Sequence, residues 1–175
     1  MKKYIITGLV AVIAATSSSF AGTASYKKTV VPVEETCLYR DNEFQIDAFG
    51  AGGFYRNGNP LWGGGLGINY FFLRYIGLGY EQLVLGNEGF TEWGSFGNLF
   101  LRYPFCWGLS PYAMVGIGKI YSENQRGLGG GTVGGGLEWR FTENIGLFGD
   151  ARWFYSPDLG NGGGVIARTG LRFAF

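Results

Sequence analysis

The sequence predicts an all-β fold, an eight-stranded antiparallel up-and-down transmembrane β-barrel, and three observations lead to it. From residue 43 to the last residue, apolar and polar side chains alternate with a period of two in about eight segments of strand length. The chain has 175 residues and combines 33 glycines and 18% aromatic residues with only 15% charged residues. No uninterrupted apolar run of roughly 20 residues follows the N-terminal region, as a membrane helix would require. Strands with this alternation are typical of a barrel surrounded by lipid, in which the apolar face points outward and the polar face points into the lumen.

Residues 1–24 have the features of a signal peptide. Two lysines near the start precede a short apolar run and then small residues, which allow cleavage near Ala21 or Ala24. The apolar run is too short to span a bilayer. Residues 25–42 are polar and are predicted to form a periplasmic N-terminal segment. The barrel itself is predicted over 43–175.

Seven of the eight predicted strands have one mostly apolar and one more polar face. In the last strand, Leu171 and Phe173 alternate with Arg168 and Arg172, so an apolar face opposes a face with two arginines. The fifth strand is ambiguous, because both of its faces contain apolar residues. The predicted strands are, in order, 43–55, 61–72, 75–84, 93–103, 111–121, 128–141, 145–155 and 164–175.

The connections are predicted to alternate in length. With a periplasmic N-terminus and an even strand count, both chain ends lie in the periplasm, and the connections after odd-numbered strands face outward and are longer. Aromatic residues gather near the strand ends, as expected for the two belts of a membrane barrel. The outward loops are predicted at 56–60, 85–92, 122–127 and 156–163 and the periplasmic turns at 73–74, 104–110 and 142–144, so the lengths follow this alternation for the most part.

Three segments near the C-terminus indicate a family. They are 136–142 (GLEWRFT), 146–153 (GLFGDARW) and 169–175 (TGLRFAF), the last of which ends on a phenylalanine. Over 43–175 the chain resembles the small eight-stranded outer-membrane barrels of the OmpA-like transmembrane type. The resemblance implies an outer-membrane location in a Gram-negative-type bacterium. It also implies that Leu171, Phe173 and Phe175 form a C-terminal signal for the barrel-assembly machinery.

The charged residues on the polar face are the candidate functional residues. A barrel of this size is only wide enough for its own side chains or one small ligand, so charges inside it must pair with one another or with trapped water. Their signs nearly balance, which predicts a lumen closed by an ionic network. Lys119 would join the network if the fifth strand had the appropriate phase. The predicted members are Glu43, Asp47, Glu81, Arg102, Glu138, Arg140, Asp150, Arg152, Arg168 and Arg172.

Catalysis and cofactor binding find little support in the sequence. The chain has no histidine, which excludes Ser-His-Asp and Cys-His catalysis and histidine-based metal sites. The glycine runs lie inside strand patterns and lack the residues of a phosphate-binding loop. A net charge of +1 gives no electrostatic basis for binding nucleic acid. We therefore expect no enzyme, no metal and no cofactor.

Cys37 and Cys106 are the only cysteines in the sequence. An exported chain can form disulfides. The predicted topology places Cys37 just before the first strand and Cys106 in the turn after the fourth, both at the periplasmic rim. We predict a disulfide between them.

The expected function is that of a monomeric structural protein of the outer membrane, in contact with its lipid and possessing surface loops available for interaction. One alternative is a narrow channel of low conductance, opened when an ion pair of Arg172 with Glu138 or with Asp150 breaks. A second alternative is a soluble, lipocalin-like barrel that binds a small lipid. That alternative requires an apolar interior, so it depends on which face the charged residues occupy.

Overall fold

The structure, a computed structural model, describes residues 37–55, 59–87, 89–122, 125–157 and 163–175. These residues belong to one compact unit, Glu35–Phe175. The predicted signal peptide and most of the segment predicted to follow it lie outside the described residues. No helix in the described part of the chain is long and apolar enough to cross a membrane.

Within the described residues, eight antiparallel strands form a closed barrel, which confirms the predicted fold class. The strands are β1 (Glu43–Tyr55), β2 (Leu61–Leu73), β3 (Ile76–Asn87), β4 (Phe90–Arg102), β5 (Leu109–Ser122), β6 (Gln125–Arg140), β7 (Ile145–Tyr155) and β8 (Gly163–Ala174). Each strand pairs with the next along the chain, and β8 pairs with β1. Closure leaves no sheet edge with unpaired backbone groups, as a barrel in lipid requires.

The register shows how far the barrel is sheared. Following paired residues from Glu43 through each strand in turn leads back to β1 at Gly53, ten residues further along. With ordinary strand spacing, this shear corresponds to a strand tilt of about 40° and a backbone radius of about 8 Å. A barrel this narrow has room inside only for its own side chains or one small ligand.

The alternation in the sequence becomes an alternation of exposure. Along β7, Leu147 and Trp153 point outward and are 43% and 47% exposed, whereas Phe148 and Arg152 point inward and are at most 2% exposed. The structure also settles the phase of β5, on which Met114 is buried inside. The outward face of the barrel is thus largely apolar, which is the reverse of a soluble barrel.

Two of the predicted outward loops are wrong. The segment predicted as loop 85–92 is mostly strand, because β3 continues to Asn87 and β4 begins at Phe90. Gly89 has a φ of 85°, the left-handed conformation that a tight hairpin turn needs. Likewise β5 reaches Ser122 and β6 begins at Gln125, so strand takes up most of the predicted loop 122–127. The physical reason is that continued pairing satisfies backbone groups that a longer loop would leave open.

The two ends of the barrel differ in what fills them. We name the end where β1 begins and β8 ends the terminal end, and the opposite end the loop end. The buried charges lie between the terminal end and the middle, while the interior towards the loop end is apolar. This differs from the expectation of a polar lumen throughout, because Leu83 and Leu85 follow Glu81 on the same inward face of β3. The apolar cluster extends from Phe148, which lies among the charged residues, to the loop end, and it is formed by Phe49, Ala51, Leu61, Leu83, Leu85, Phe96, Ile120, Phe148, Phe154 and Ile166.

Candidate functional site

The structure places the ten charged residues of the predicted network inside the barrel. Each is at most 7% exposed. Glycines facing them on neighbouring strands leave the necessary room: a Cβ atom at Gly134 would lie 2.6 Å from the Cα atom of Arg152. The charges divide into two groups, which differ in their height along the barrel axis.

Glu43 lies at the start of β1 with its carboxylate between two arginines. One carboxylate oxygen accepts hydrogen bonds from Arg140 at 2.6 Å and from Arg102 at 3.0 Å, and the other accepts a second bond from Arg140 at 2.6 Å. The amide of Gln45 donates to the same carboxylate at 2.6 Å. The three charged side chains are at most 1% exposed, so these charge-assisted bonds are shielded from water.

Glu138 extends this series of ion pairs across the barrel. It accepts hydrogen bonds from Arg140 at 2.6 Å and from Arg172 at 2.8 Å. Arg172 also makes a forked contact with Asp47, its Nε and Nη2 atoms each donating at 2.7 Å. We name the six charged residues the rim cluster: Arg102, Glu43, Arg140, Glu138, Arg172 and Asp47.

A second group, the central cluster, lies nearer the middle of the barrel and consists of Glu81, Asp150, Arg152 and Arg168. Arg168 makes a forked contact with Asp150, at 2.8 and 2.6 Å, and also pairs with Glu81. The other carboxylate oxygen of Glu81 pairs with Arg152. The hydroxyl of Tyr112 donates to Asp150 at 2.6 Å.

Aromatic rings lie between the two clusters. The ring centre of Phe148 is 4.6 Å from the guanidinium carbon of Arg172 and 5.5 Å from that of Arg168. The ring of Tyr112 is 5.6 Å from Arg172. Cation–π contacts of this kind stabilise desolvated guanidinium groups. The ring of Phe148 therefore lies between the two clusters and contacts an arginine of each.

Each cluster is electrically neutral. The rim cluster pairs three carboxylates with three arginines, and the central cluster pairs two with two. A buried ion costs several kcal/mol to desolvate, and only well-placed opposite charges and hydrogen bonds offset that cost. Of the two pairs expected to open a channel, Glu138–Arg172 is present, but the Asp150–Arg172 pair is not formed, because Asp150 pairs with Arg168 instead.

One side of the central cluster has polar atoms without hydrogen-bond partners among the described residues. The Nε and Nη1 atoms of Arg152, both side-chain polar atoms of Asn98 and the hydroxyl of Thr132 make none. The guanidinium of Arg152 instead lies over the ring of Phe96, 5.1 Å from its centre. Buried polar groups in this situation commonly bind trapped water.

The residues just before β1 close against the terminal end. Tyr39 is 2% exposed, and its hydroxyl donates to the backbone carbonyl of Gly108 at 2.7 Å. The guanidinium groups of Arg140 and Arg102 lie 4.2 and 4.9 Å from its ring centre. Burial, together with the negative charge of Glu138, raises the pKa of the Tyr39 phenol, so the hydroxyl remains a hydrogen-bond donor.

The predicted disulfide is present and fixes this segment in place. It joins Cys37 to Cys106, which lies in the connection between β4 and β5. Arg140 adds a hydrogen bond from its Nη1 atom to the backbone carbonyl of Leu38 at 2.8 Å. The segment from Cys37 to Asn42 is therefore linked covalently and through the rim cluster to the barrel.

The C-terminal residues complete the barrel wall. Leu171 is outward and 43% exposed, Phe173 is half-buried and Phe175 is 61% exposed. The backbone of Phe175 exchanges two hydrogen bonds with that of Phe44, at 2.8 and 3.2 Å. The three residues predicted as an assembly signal thus lie together on the outer surface at the terminal end.

Lys119 does not join the interior charges. The phase of β5 places it on the exposed, outward face of the barrel. Two interior contacts were not predicted: Tyr39, which precedes the first predicted strand, and Tyr112, which lies on the strand of ambiguous phase. Phe96 and Phe100 could have been found, because they share the face of β4 with Arg102. In the described part of the chain, no group of three metal-ligating side chains is present.

Comparisons with solved structures identify the fold. The chain is similar to the N-terminal β-barrel domain of Pseudomonas aeruginosa OprF, with a TM-score of 0.61 and 22% identity over 77% of this chain and 98% of that one. Neisserial surface protein A gives 0.59 and 15% over 76% and 96%. Ail, the attachment invasion locus protein of Yersinia pestis, in complex with a heparin analogue, gives 0.54 and 15% over 77% and 99%.

These solved structures are small eight-stranded barrels from outer-membrane proteins, and at such identities the likeness establishes the fold. No family model matches the chain, and no curated protein does. The fold agrees with the resemblance that the C-terminal segments indicate.

Proposed function

We propose that this chain is an integral outer-membrane protein with a mainly structural role, and that its own side chains close the lumen. The observation on which the proposal depends is the arrangement of charge: ten buried charged side chains among the described residues form two neutral clusters, while the outward face of the barrel is apolar. A water-soluble barrel would have the opposite arrangement.

Three layers support a closed lumen. The segment containing Tyr39 covers the terminal end, the two charged clusters fill the interior up to the middle, and the apolar cluster fills the loop end. An ion would have to displace ion pairs and then cross packed phenylalanine and leucine side chains. Displacing them is costly, because breaking a buried pair costs about 3–5 kcal/mol.

The outer-membrane location is supported by the fold and by the apolar outer surface. Membrane lipid is therefore one partner, and the barrel-assembly machinery is a second, through Leu171, Phe173 and Phe175. The barrel is proposed to act as a monomer. Contact with other surfaces would fall to the connections 56–60 and 156–162, because strand takes up most of the other two predicted outward loops.

Catalysis is not part of the proposal. The sequence has no histidine, and the buried carboxylates are held in ion pairs with arginine. A general acid or base would need a carboxylate that is free to exchange protons with a substrate.

Two measurements test the proposal. Cell fractionation should recover the protein in the outer membrane, resistant to extraction by alkaline carbonate, whereas recovery in the aqueous phase would contradict a membrane barrel. Planar-bilayer recordings of the purified protein should show no reproducible openings. Regular unit conductances would instead establish the narrow channel and refute the closed lumen.

A further inference from the structure

The outward face of the barrel has one conspicuous polar strip. Gln82 on β3, Ser95 on β4 and Lys119 on β5 are directly paired neighbours across the three strands. Gln82 and Lys119 are exposed and Ser95 is half-buried. Tyr80 joins them, because its hydroxyl accepts a hydrogen bond from the Gln82 amide at 3.0 Å and also bonds to Ser95. We name these four residues the polar strip.

The polar strip rises towards the loop end. Because the strands tilt by about 40°, each step from one strand to the next climbs about 3 Å along the barrel axis. Lys119 lies near the level of Trp93 and Tyr121, the exposed aromatic residues that pair with each other near the ends of β4 and β5. Gln82 lies about 6 Å deeper, where neighbouring outward residues such as Leu66 and Ile117 are apolar.

Polar groups at this depth need partners. A side-chain amide or ammonium exposed to hydrocarbon is costly, and a lysine near the interface extends its ammonium towards the headgroups. Within the described residues, no carboxylate lies within ion-pairing distance of Lys119. Among the described residues, the strip therefore presents one positive charge without a carboxylate partner, and several neutral hydrogen-bonding groups, to the lipid.

An apolar groove begins directly below the polar strip. Its floor is Gly97, two residues after Ser95 on the same face, and its volume is about 480 Å³. Its walls are the exposed side chains of Leu78 and Leu99 on one side and of Val115 and Ile117 on the other. A polar strip above an apolar groove has the same order, along the membrane normal, as the headgroup and acyl chain of a lipid.

We propose that the polar strip and this groove together bind one phosphorylated glycolipid of the outer leaflet. Lys119 binds a phosphate, Gln82 and Ser95 bind sugar hydroxyls, and an acyl chain lies over Gly97. The inference rests on the proposed function, which places the loop end in the outer leaflet. Charge complementarity selects an anionic lipid, and the row of neutral donors and acceptors selects a sugar headgroup over a simple phosphodiester.

Lipid retention tests the proposal. The purified full chain is inserted into phosphatidylcholine nanodiscs containing a small fraction of bisphosphorylated lipid A or of phosphatidylglycerol, and the lipid retained after transfer to detergent is counted by native mass spectrometry. We expect retention of one lipid A molecule. Lys119→Gln should weaken it about tenfold, as loss of a charge-assisted bond predicts. Arg40→Gln, which changes an exposed cation at the terminal end, should leave it unchanged.

A second pair of variants tests the groove. Gly97→Leu should reduce retention because it fills the groove, and a Cβ atom there has no neighbour closer than 4.0 Å, so the fold tolerates it. Gly149→Leu on β7 is the matched control, since its nearest neighbour would be 3.8 Å away. The glycolipid site would be overturned if Lys119→Gln retained as much lipid A as the unsubstituted protein. It would also be overturned if the unsubstituted protein retained phosphatidylglycerol as well as it retains lipid A. Failure to insert into nanodiscs would instead refute the membrane barrel itself.

Discussion

Replacing Glu43 by glutamine should destabilise the barrel, because the buried positive charge of Arg102 then loses its paired carboxylate. The substitution keeps the size of the side chain and removes its negative charge. Arg140 retains Glu138 as a partner, but Glu43 is the only carboxylate paired with Arg102 in the described part of the chain. Arg102 would then be a buried cation without a carboxylate in direct contact, and the rim cluster would have one more positive than negative charge. Removing one member of a buried pair costs about 3–5 kcal/mol, and we expect a loss of unfolding free energy in this range.

The reciprocal variant should cost less. Arg102→Gln leaves Glu43 bound to Arg140 through two hydrogen bonds of 2.6 Å. A surplus carboxylate can also take up a proton, whereas arginine remains charged. We expect a loss of about 1–2 kcal/mol. The double variant Glu43→Gln/Arg102→Gln restores neutrality, so it should be more stable than Glu43→Gln alone.

The assay is urea unfolding in lipid vesicles, followed by tryptophan fluorescence and by the gel shift between folded and unfolded barrel. The control is Asp41→Asn, which removes the charge from the exposed pair with Arg74 at 3.9 Å and should cost less than about 1 kcal/mol. The reasoning is refuted if Glu43→Gln loses no more stability than this control. It is also refuted if the double variant is less stable than Glu43→Gln.

The remaining predictions concern the disulfide, the glycines and the C-terminus. Reducing the Cys37–Cys106 disulfide should release the backbone around Arg40 so that trypsin can cleave after this exposed residue, which gel analysis detects; protection that persists under reduction would contradict the tethering role. Gly136→Ala should impair folding in the gel-shift assay, because its Cβ atom would lie 2.5 Å from that of Asp150. Gly131→Ala on the same strand, with no neighbour closer than 3.8 Å, should fold normally. Phe175→Ser should slow assembly in cells while leaving refolding into vesicles unchanged; equal assembly rates would argue against a C-terminal signal.

Except in β5, the sequence alone determined which residues of each strand point outward, because a period of two assigns every second residue to the same side. The alternation around Arg168, Arg172 and Leu171 therefore predicted both the barrel and the inward position of the charges. It could not assign β5, where both faces contain apolar residues. It also misjudged loop lengths at the loop end, since residues such as Gly86 and Asn87 favour turns yet remain paired in β3.

Only the tertiary structure decided which charges meet. Residue parity places Asp150 and Arg152 on the inward face, but Asp150 pairs with Arg168 and Arg152 with Glu81, because the shear of the barrel sets the height of each strand against the others. Shear is fixed when β8 pairs with β1, which lies at the other end of the barrel sequence, and the local residue pattern does not determine the register of that pairing. The same closure separates the charges into two neutral clusters and leaves the loop end to phenylalanine and leucine.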